Sequence, residues 1–357
     1  MEKRVLITGH KGYIGSVMAP LLAKAGYGAV GLDTGYFDAC TLVPESVRVP
    51  ALRKDIRDMG IEDLRGFDAV IHLAALSNDP LGNLDPELTR EINYRATARL
   101  AECAKTAGVR RFLFSSSCIM YGMSEANVVD ETSPLDPRTE YARSKVLAEG
   151  AVASLASDGF SPTFLRNGTI YGLSPRMRFD TVLNDLVGTA VTTGQVIVHS
   201  DGEPWRPVVH VEDVARAFIK VLQAPREKIH NQAFNTGDNK LNRQIRDLAE
   251  IVVRTVPDCT LELRAQSGAD QRTYKAEFGK FARTFPDFEF RWSAEEGARR
   301  LSREFDALGL TYGDLTGVRF TRLQWLRHLR ESEQLDGALR WRERVPQPIY
   351  PNAEGRL

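Results

Sequence analysis

The feature that most constrains this chain is TGHKGYIG at residues 8–15, which joins a short apolar run, Arg4–Thr8, to a segment of helical periodicity. Glycine at the first position, Gly9, permits a tight turn. Gly12 lets backbone N–H groups approach a diphosphate, and Gly15 lets a helix lie close on the preceding strand. Residues 13–26 carry Ile14, Val17, Met18, Leu21, Leu22 and Ala25 at three- and four-residue spacing, which makes one buried helix face. The helix starts near Tyr13 and Ile14, so its partly positive N-terminus points at whatever the loop holds. Strand, glycine loop and helix together predict a dinucleotide site.

The next strand pattern, residues 29–33, ends on Asp33, 18 residues beyond Gly15. A carboxylate there accepts hydrogen bonds from the adenosine ribose hydroxyls and repels a 2′-phosphate, which selects NAD over NADP. Asp55 and Ile56 follow a third strand region and border the adenine in this reading. Leu73, Ala74 and Ala75 end the fourth strand, where small residues let the dinucleotide pass. Strand patterns at 69–73, 111–115 and 162–166 alternate with helical stretches, among them a long helix expected over 86–107. Strands apolar on both faces that alternate with helices predict an α/β fold with a Rossmann-type doubly wound parallel sheet.

That rhythm breaks after Gly172. The chain is therefore expected to divide into a dinucleotide-binding domain at 1–170, with return segments near 207–236, and a smaller C-terminal α/β substrate domain within 171–357. Residues 317–344 are Arg-rich, and Leu323, Leu326 and Leu329 mark an amphipathic helix, read as a solvated cap on the fold. The Pro-rich end after it is expected to be a tail that packs as an extended strand or stays mobile.

Composition excludes several function classes. The 47 Lys and Arg balance 47 Asp and Glu, so nothing in the charge favours a nucleic-acid or anionic-membrane partner. No apolar stretch has the length of a leader or a membrane span. Cys40, Cys103, Cys118 and Cys259 form no C-x-x-C pair, and no His stands at metal-ligand spacing from them. No metal site is expected, and lone cysteines suit a reducing cytoplasm.

The chemistry is expected in TEYARSKVLAE, where Tyr141 and Lys145 stand four residues apart on one face of a helix. Ser117 ends the strand FLFSSS nearby. A free phenol titrates near ~10 and is a poor base at neutral pH. A neighbouring ammonium and a positive nicotinamide both favour the phenolate. Tyr141 is then able to take a proton from a substrate hydroxyl as hydride leaves, Lys145 to hold the nicotinamide ribose, and Ser117 to bond the reacting oxygen.

These motifs, with EINYRAT around Asn93, SSSCIMYG and WRPVVHVEDVARA, make residues 1–290 resemble the extended short-chain dehydrogenase/reductases of the nucleotide-sugar epimerase/dehydratase family. The resemblance implies a tightly held NAD, a Ser–Tyr–Lys site, a nucleotide-diphosphate sugar as substrate, and a homodimer built through two helices per subunit. It also implies Asn93 at the cofactor and Arg206 at the nucleotide diphosphate, with Asn184 and Arg272 as further candidates there. Dehydratases of the family resemble Thr-Asp-Glu where this chain has Ser117, Cys118 and Ile119, and decarboxylases tend to carry a glutamate there. The resemblance thus disfavours both and leaves epimerisation, with C4 favoured, or net reduction or oxidation of a sugar. A cysteine in this strand-end loop does acid/base work in related 3,5-epimerases, so Cys118 is a candidate for that alternative. Thr169 replaces a substrate-contacting asparagine of the family pattern, and Pro207 stands where an aspartate usually follows the arginine. PRMRFD brings Arg176, Arg178 and Asp180 to the expected sugar or diphosphate pocket, with Arg178 the candidate contact. Two rivals remain at this level: a non-catalytic NAD-binding regulator, which does not need the three catalytic residues, and a reductase of apolar carbonyls, which does not need the arginines.

Overall fold

The computed structural model describes residues 2–123, 128–264 and 273–342. Seven strands, β1 (Arg4–Thr8), β2 (Gly28–Asp33), β3 (Ala51–Arg53), β4 (Ala69–His72), β5 (Arg111–Ser117), β6 (Ser161–Asn167) and β7 (Gln232–Thr236), form one sheet in the order β3-β2-β1-β4-β5-β6-β7. Every pairing in it is parallel. Alternate side chains of β1 enter different cores: Leu6 packs with Val70, Phe112 and Phe114 on one face, whereas Val5 and Ile7 pack with Ile71, Leu113 and Phe234 on the other. Two buried faces explain the near-continuous apolar runs of the strands.

Helices α1 (Gly15–Lys24), α2 (Ala96–Thr106), α3 (Glu140–Ala153), α4 (Val182–Thr193), α5 (Val211–Gln223), α6 (Ile245–Thr255), α7 (Ala294–Ala307) and α8 (Arg322–Glu331) cover the sheet and build the second core. α2 and α3 supply Leu100, Ala104, Ala148 and Val152 to the first face, while α1 and α5 supply Met18, Leu22, Val214 and Phe218 to the other. α4, α6 and α7 pack on one another around Leu183, Val187, Leu248, Val252, Leu301 and Phe305. Only part of the 207–236 stretch joins the main sheet. Gln232–Thr236 pairs with β6, but Trp205–His210 pairs with Thr169–Tyr171 and Asn242–Gln244 in a separate three-stranded sheet.

The helix expected over 86–107 is interrupted. Pro86–Arg90 and α2 are α-helical, but Glu91–Arg95 between them is a wider π turn. That turn carries buried Asn93, whose amide bonds both backbone groups of Leu76, Leu76 N–H at 2.8 Å and Leu76 C=O at 3.1 Å. The periodicity of Leu88, Ile92 and Ala96 alone does not register such an insertion.

Strand order reverses between β1 and β4, and in open α/β sheets that switch opens a crevice at the carboxyl ends of the strands. The glycine loop closes one wall of it. Gly9 adopts φ +75°, and a methyl group on Gly15 would stand 2.2 Å from Gly9 C=O and 2.5 Å from His10 Cα. The loop and the helix start therefore share one space that admits no side chain. Gly15→Ala is expected to lower unfolding free energy by about 1–3 kcal/mol and to weaken NAD binding with it; a chemical-denaturation curve matching the parent chain would show that the loop relaxes freely.

Candidate active site

The crevice is an open cleft of about 1030 Å³. Gly9, Gly12, Tyr13, Ile14, Gly15, Asp33, Asp55, Ile56, Leu73, Ala74 and Ala75 all line it, and so does Arg178. α1 carries no side-chain cap: Ser16 N–H is met by Gly12 C=O at 3.1 Å and Met18 N–H by Ile14 C=O at 2.9 Å, and Tyr13, Ile14 and Gly15 of the turn before them line the cleft. A methyl group built on Gly12 would meet only Gly9 C=O, at 3.1 Å, which leaves the ligand side of the loop open. Asp33 is oriented by two backbone donors, Lys11 N–H at 3.0 Å and Gly35 N–H at 2.9 Å. Its carboxylate keeps lone pairs for a diol at the end of β2. An uncapped helix start, an open glycine loop and an acid one strand away fit the diphosphate and adenosine ribose of NAD.

Tyr13 joins this wall to the second core. Its hydroxyl donates to Gly172 C=O at 2.6 Å and accepts from Asn184 Nδ2 at 3.0 Å, and its own carbonyl accepts from Ser174 Oγ at 2.7 Å. Burial raises its phenol well above the usual tyrosine value. Asn184 was expected at the substrate. Its amide is instead spent on the protein: Oδ1 accepts Gly172 N–H at 2.9 Å, and Nδ2 also donates to Arg178 C=O at 2.8 Å. Asn93, expected at the cofactor, is likewise enclosed, with Nδ2 donating to Ser144 Oγ at 3.2 Å. Ser144 in turn donates to Tyr141 C=O at 2.7 Å. Both asparagines position the loops that line the cleft.

Tyr141 stands in the first turn of α3, which Thr139 caps by accepting Ala142 N–H at 3.1 Å. The Ser117 hydroxyl, at the end of β5, lies close enough to the Tyr141 phenol to lower its pKa against burial. One turn along α3, Lys145 is buried, donates to Ser115 C=O at 2.8 Å, and lies 4.6 Å from the Phe114 ring centre and 5.8 Å from that of Tyr141. The three residues are thus brought together, but the expected electrostatic priming differs. Burial pushes the Tyr141 phenol up to about 12, and the cation that opposes this is Arg178, not Lys145. Burial also brings Lys145 down to about 7, against the field of Glu149. An ammonium turned to a backbone carbonyl in a dry site is itself strained, so it contributes little charge to its neighbour.

Arg178 grips Asp180 with two bonds, Nε–Oδ1 at 2.9 Å and Nη2–Oδ2 at 2.7 Å, and reaches Ser77 C=O at 3.4 Å. Asn78 Nδ2 donates to the same carboxylate. Arg176, its neighbour, faces elsewhere, pairing with Glu45 at 3.0 Å.

Cys118 is turned away from this chemistry. Its thiol donates to Arg166 C=O at 3.2 Å inside a closed cluster with Tyr121, Val129 and Phe278, and burial drives its pKa far up. That environment does not suit an acid/base thiol. Thr169 lies in the small three-stranded sheet opposite Val208. Arg206, two residues before Val208 in the adjoining strand, bonds the neighbouring Trp205 C=O at 2.9 Å. Arg272 and the tail after residue 342 lie outside the described residues.

Sequence reasoning missed several parts of the cleft: Thr34, Tyr36 and Phe37 after Asp33, Lys54 before Asp55, and Arg322 at the start of α8. The first four adjoin identified positions. Arg322 had one sequence signal, since it lies four and seven residues before Leu326 and Leu329 and so shares their buried face.

A model of the NAD dependent epimerase/dehydratase family matches residues 5–237. A UDP-glucose 4-epimerase from Streptomyces lividans is 30% identical over 307 residues, covering 78% of this chain and 89% of its own. A dTDP-D-glucose 4,6-dehydratase from Mus musculus is 27% identical over 281 residues, covering 75% of this chain and 77% of its own. The solved dTDP-glucose 4,6-dehydratase of Streptomyces venezuelae, with NAD bound, superposes with a TM-score of 0.74 at 25% identity over 87% of this chain and 99% of that one. Epimerases and dehydratases thus both occur among the relatives. The chain belongs to the NAD-dependent epimerase/dehydratase family, and NAD is the cofactor its cleft serves.

Proposed function

We propose that the chain is a nucleotide-sugar epimerase that oxidises a sugar hydroxyl, with C4 favoured, and reduces the resulting ketone from the other face. The observation that carries this reading is the strand-end loop after Ser117. Elimination of water across C5 and C6 needs an acid and a base beside the oxidised carbon. Here Ile119 offers neither, and the Cys118 thiol is committed to Arg166 C=O. Inversion at one carbon needs only Ser117, Tyr141 and Lys145, and that requirement supports epimerisation over dehydration. The relatives named as UDP-glucose 4-epimerases support the same choice.

When bound, NAD+ supplies a hydride acceptor and a positive ring. Gly9, Gly12 and the start of α1 hold its diphosphate, and Asp33 holds the adenosine ribose. Ser117 orients the sugar oxygen against the Tyr141 phenol. Tyr141 removes the hydroxyl proton in the oxidation and returns it to the alkoxide in the reduction, so no net proton is consumed. A phenol kept near 12 in the free fold is a reluctant base, and Arg178 stabilises its anion from across the cleft. In this reading the cofactor lies on the 1–170 side, the nucleotide sugar faces the 171–357 side with Thr169 and Arg206 near it, and two copies of the chain pair in the cytoplasm. Net reduction or oxidation on the same three residues is the alternative, and it differs only in whether the hydride returns to the same sugar.

Tyr141→Phe removes the proton carrier without disturbing the glycine loop. Turnover of a nucleotide sugar should fall by about 10²–10⁴ while NAD released on denaturation stays at parent levels; near-normal turnover would remove Tyr141 from this role. A second test concerns Lys145. Its pKa is about 7 in the fold and near ~10.4 unfolded, so between those values the unfolded chain binds more protons and stability rises with pH. Comparing Lys145→Met with the parent, both stripped of cofactor, isolates that contribution. The variant's stability advantage should be larger at pH 6 than at pH 9, by on the order of 2 kcal/mol. Parallel stabilities at the two pH values would mean that the ammonium is not strained.

A further inference from the structure

The C-terminal segment does more than cap the sheet. Leu326 and Leu329 of α8 are buried in the first core, and from there residues 325–341 lie across the stretch that follows β2 and β3. Trp325 Nε1 donates to Tyr36 C=O at 2.6 Å and Trp341 Nε1 to Thr34 C=O at 2.8 Å. Tyr36 donates its hydroxyl to Leu339 C=O, Arg57 donates to Ala338 C=O at 2.8 Å, and Arg340 pairs with Asp58 at 2.5 Å and Asp55 at 3.3 Å. Every one of these anchors falls beside the adenosine end of the cleft, among residues that line it or adjoin its lining.

Arg322 opens this segment and faces the cleft. It is 6% exposed, stacks 3.9 Å over the Phe37 ring centre, and donates from Nη2 to Arg176 C=O at 3.0 Å. Its Nη1 is buried with no partner, and among the described residues no carboxylate stands within ion-pairing distance of it. A buried charge left so is costly. The neighbouring Arg178 is different, because Asp180 neutralises it. The field at Arg322 comes from Arg178, Cys40, Asp180 and Asp33, whereas that at Arg178 comes from Asp180, Tyr141 and Tyr13. Arg322, Arg178 and Asp33 line one cleft with the glycine loop, so a guanidinium without a carboxylate partner borders the space that a dinucleotide and its two negative charges would fill.

We propose that Arg322 binds the diphosphate of the cofactor from the side opposite the glycine loop, so that the C-terminal segment clasps NAD in place. Burial and the nearby Arg178 also pull the Arg322 guanidinium down to about 10, a penalty that an anion between the two would relieve. A diphosphate is present in the nucleotide sugar as well, and the choice of ligands separates the two sources. This inference does not depend on which sugar reaction the site performs, since its readout is binding.

The test is calorimetric titration of the full-length chain, stripped of NAD, with NAD+, ADP-ribose, adenosine and UDP. Arg322→Gln should weaken NAD+ and ADP-ribose by about 10–100-fold and leave adenosine and UDP unchanged. Arg322→Lys keeps the charge but not the planar donor pair, so it should fall between, and it carries the same comparison if Arg322→Gln does not fold. Equal weakening of adenosine and ADP-ribose would make Arg322 a support for the adenosine wall only. Weakening of UDP alone would assign it to the substrate, and unchanged affinities throughout would remove it from binding.

Discussion

The arrangement depends on a helix that starts where no side chain fits. Gly15 touches Gly9 and His10 through backbone alone, and α1 has no capping side chain, so the backbone of the Tyr13–Gly15 turn itself lines the mouth of the sheet's switch point. The partly positive start of a helix beside an open glycine loop favours a ligand that brings negative charge and its own acceptors. In the proposed binding mode, Asp33 on the neighbouring strand marks the adenosine end of that ligand. Tyr13 carries the constraint onward: its ring sits in the second core, and its hydroxyl fixes Gly172 and Asn184, which fix the Arg178 loop. The two cores are thus joined at the cofactor loop.

The reacting end is built from groups held in costly states. Burial holds the Tyr141 phenol up and the Lys145 ammonium down. The fold supports them from behind, through Ser115 C=O on Lys145 and the relay from Asn93 through Ser144 to the Tyr141 backbone. In the proposed reaction such a site gives up stability for reactivity.

Local rules made much of this legible. The glycine spacing and Asp33 found the cofactor wall, because a tight turn and a ribose carboxylate each tolerate few residue types. The seven-residue strands β5 and β6 were visible because both their faces are apolar or small. Other features depend on long-range packing that no local pattern reports. Asn93 and Asn184 sit in positions that look like ligand contacts, yet their amides are consumed by Leu76, Ser144, Gly172 and Arg178. The direction of the Cys118 thiol is set by Arg166, 48 residues away. Arg322 reaches the cleft only because α8 folds back across 289 residues to meet Tyr36. Its place on the Leu326 and Leu329 stripe was the single hint, and an arginine in an Arg-rich helix reads first as solvated.

The most direct test of the central claim, hydride leaving and returning at one carbon with Tyr141 carrying the proton, is to follow a label. A nucleoside-diphosphohexose deuterated at C4 is incubated with the chain in ordinary water, and the product is read by NMR. The account predicts deuterium still on C4 with that centre inverted, and no solvent hydrogen introduced at C3 or C5. Deuterium delivered to C6 with loss of water, or solvent hydrogen at a carbon beside the ketone, would contradict it.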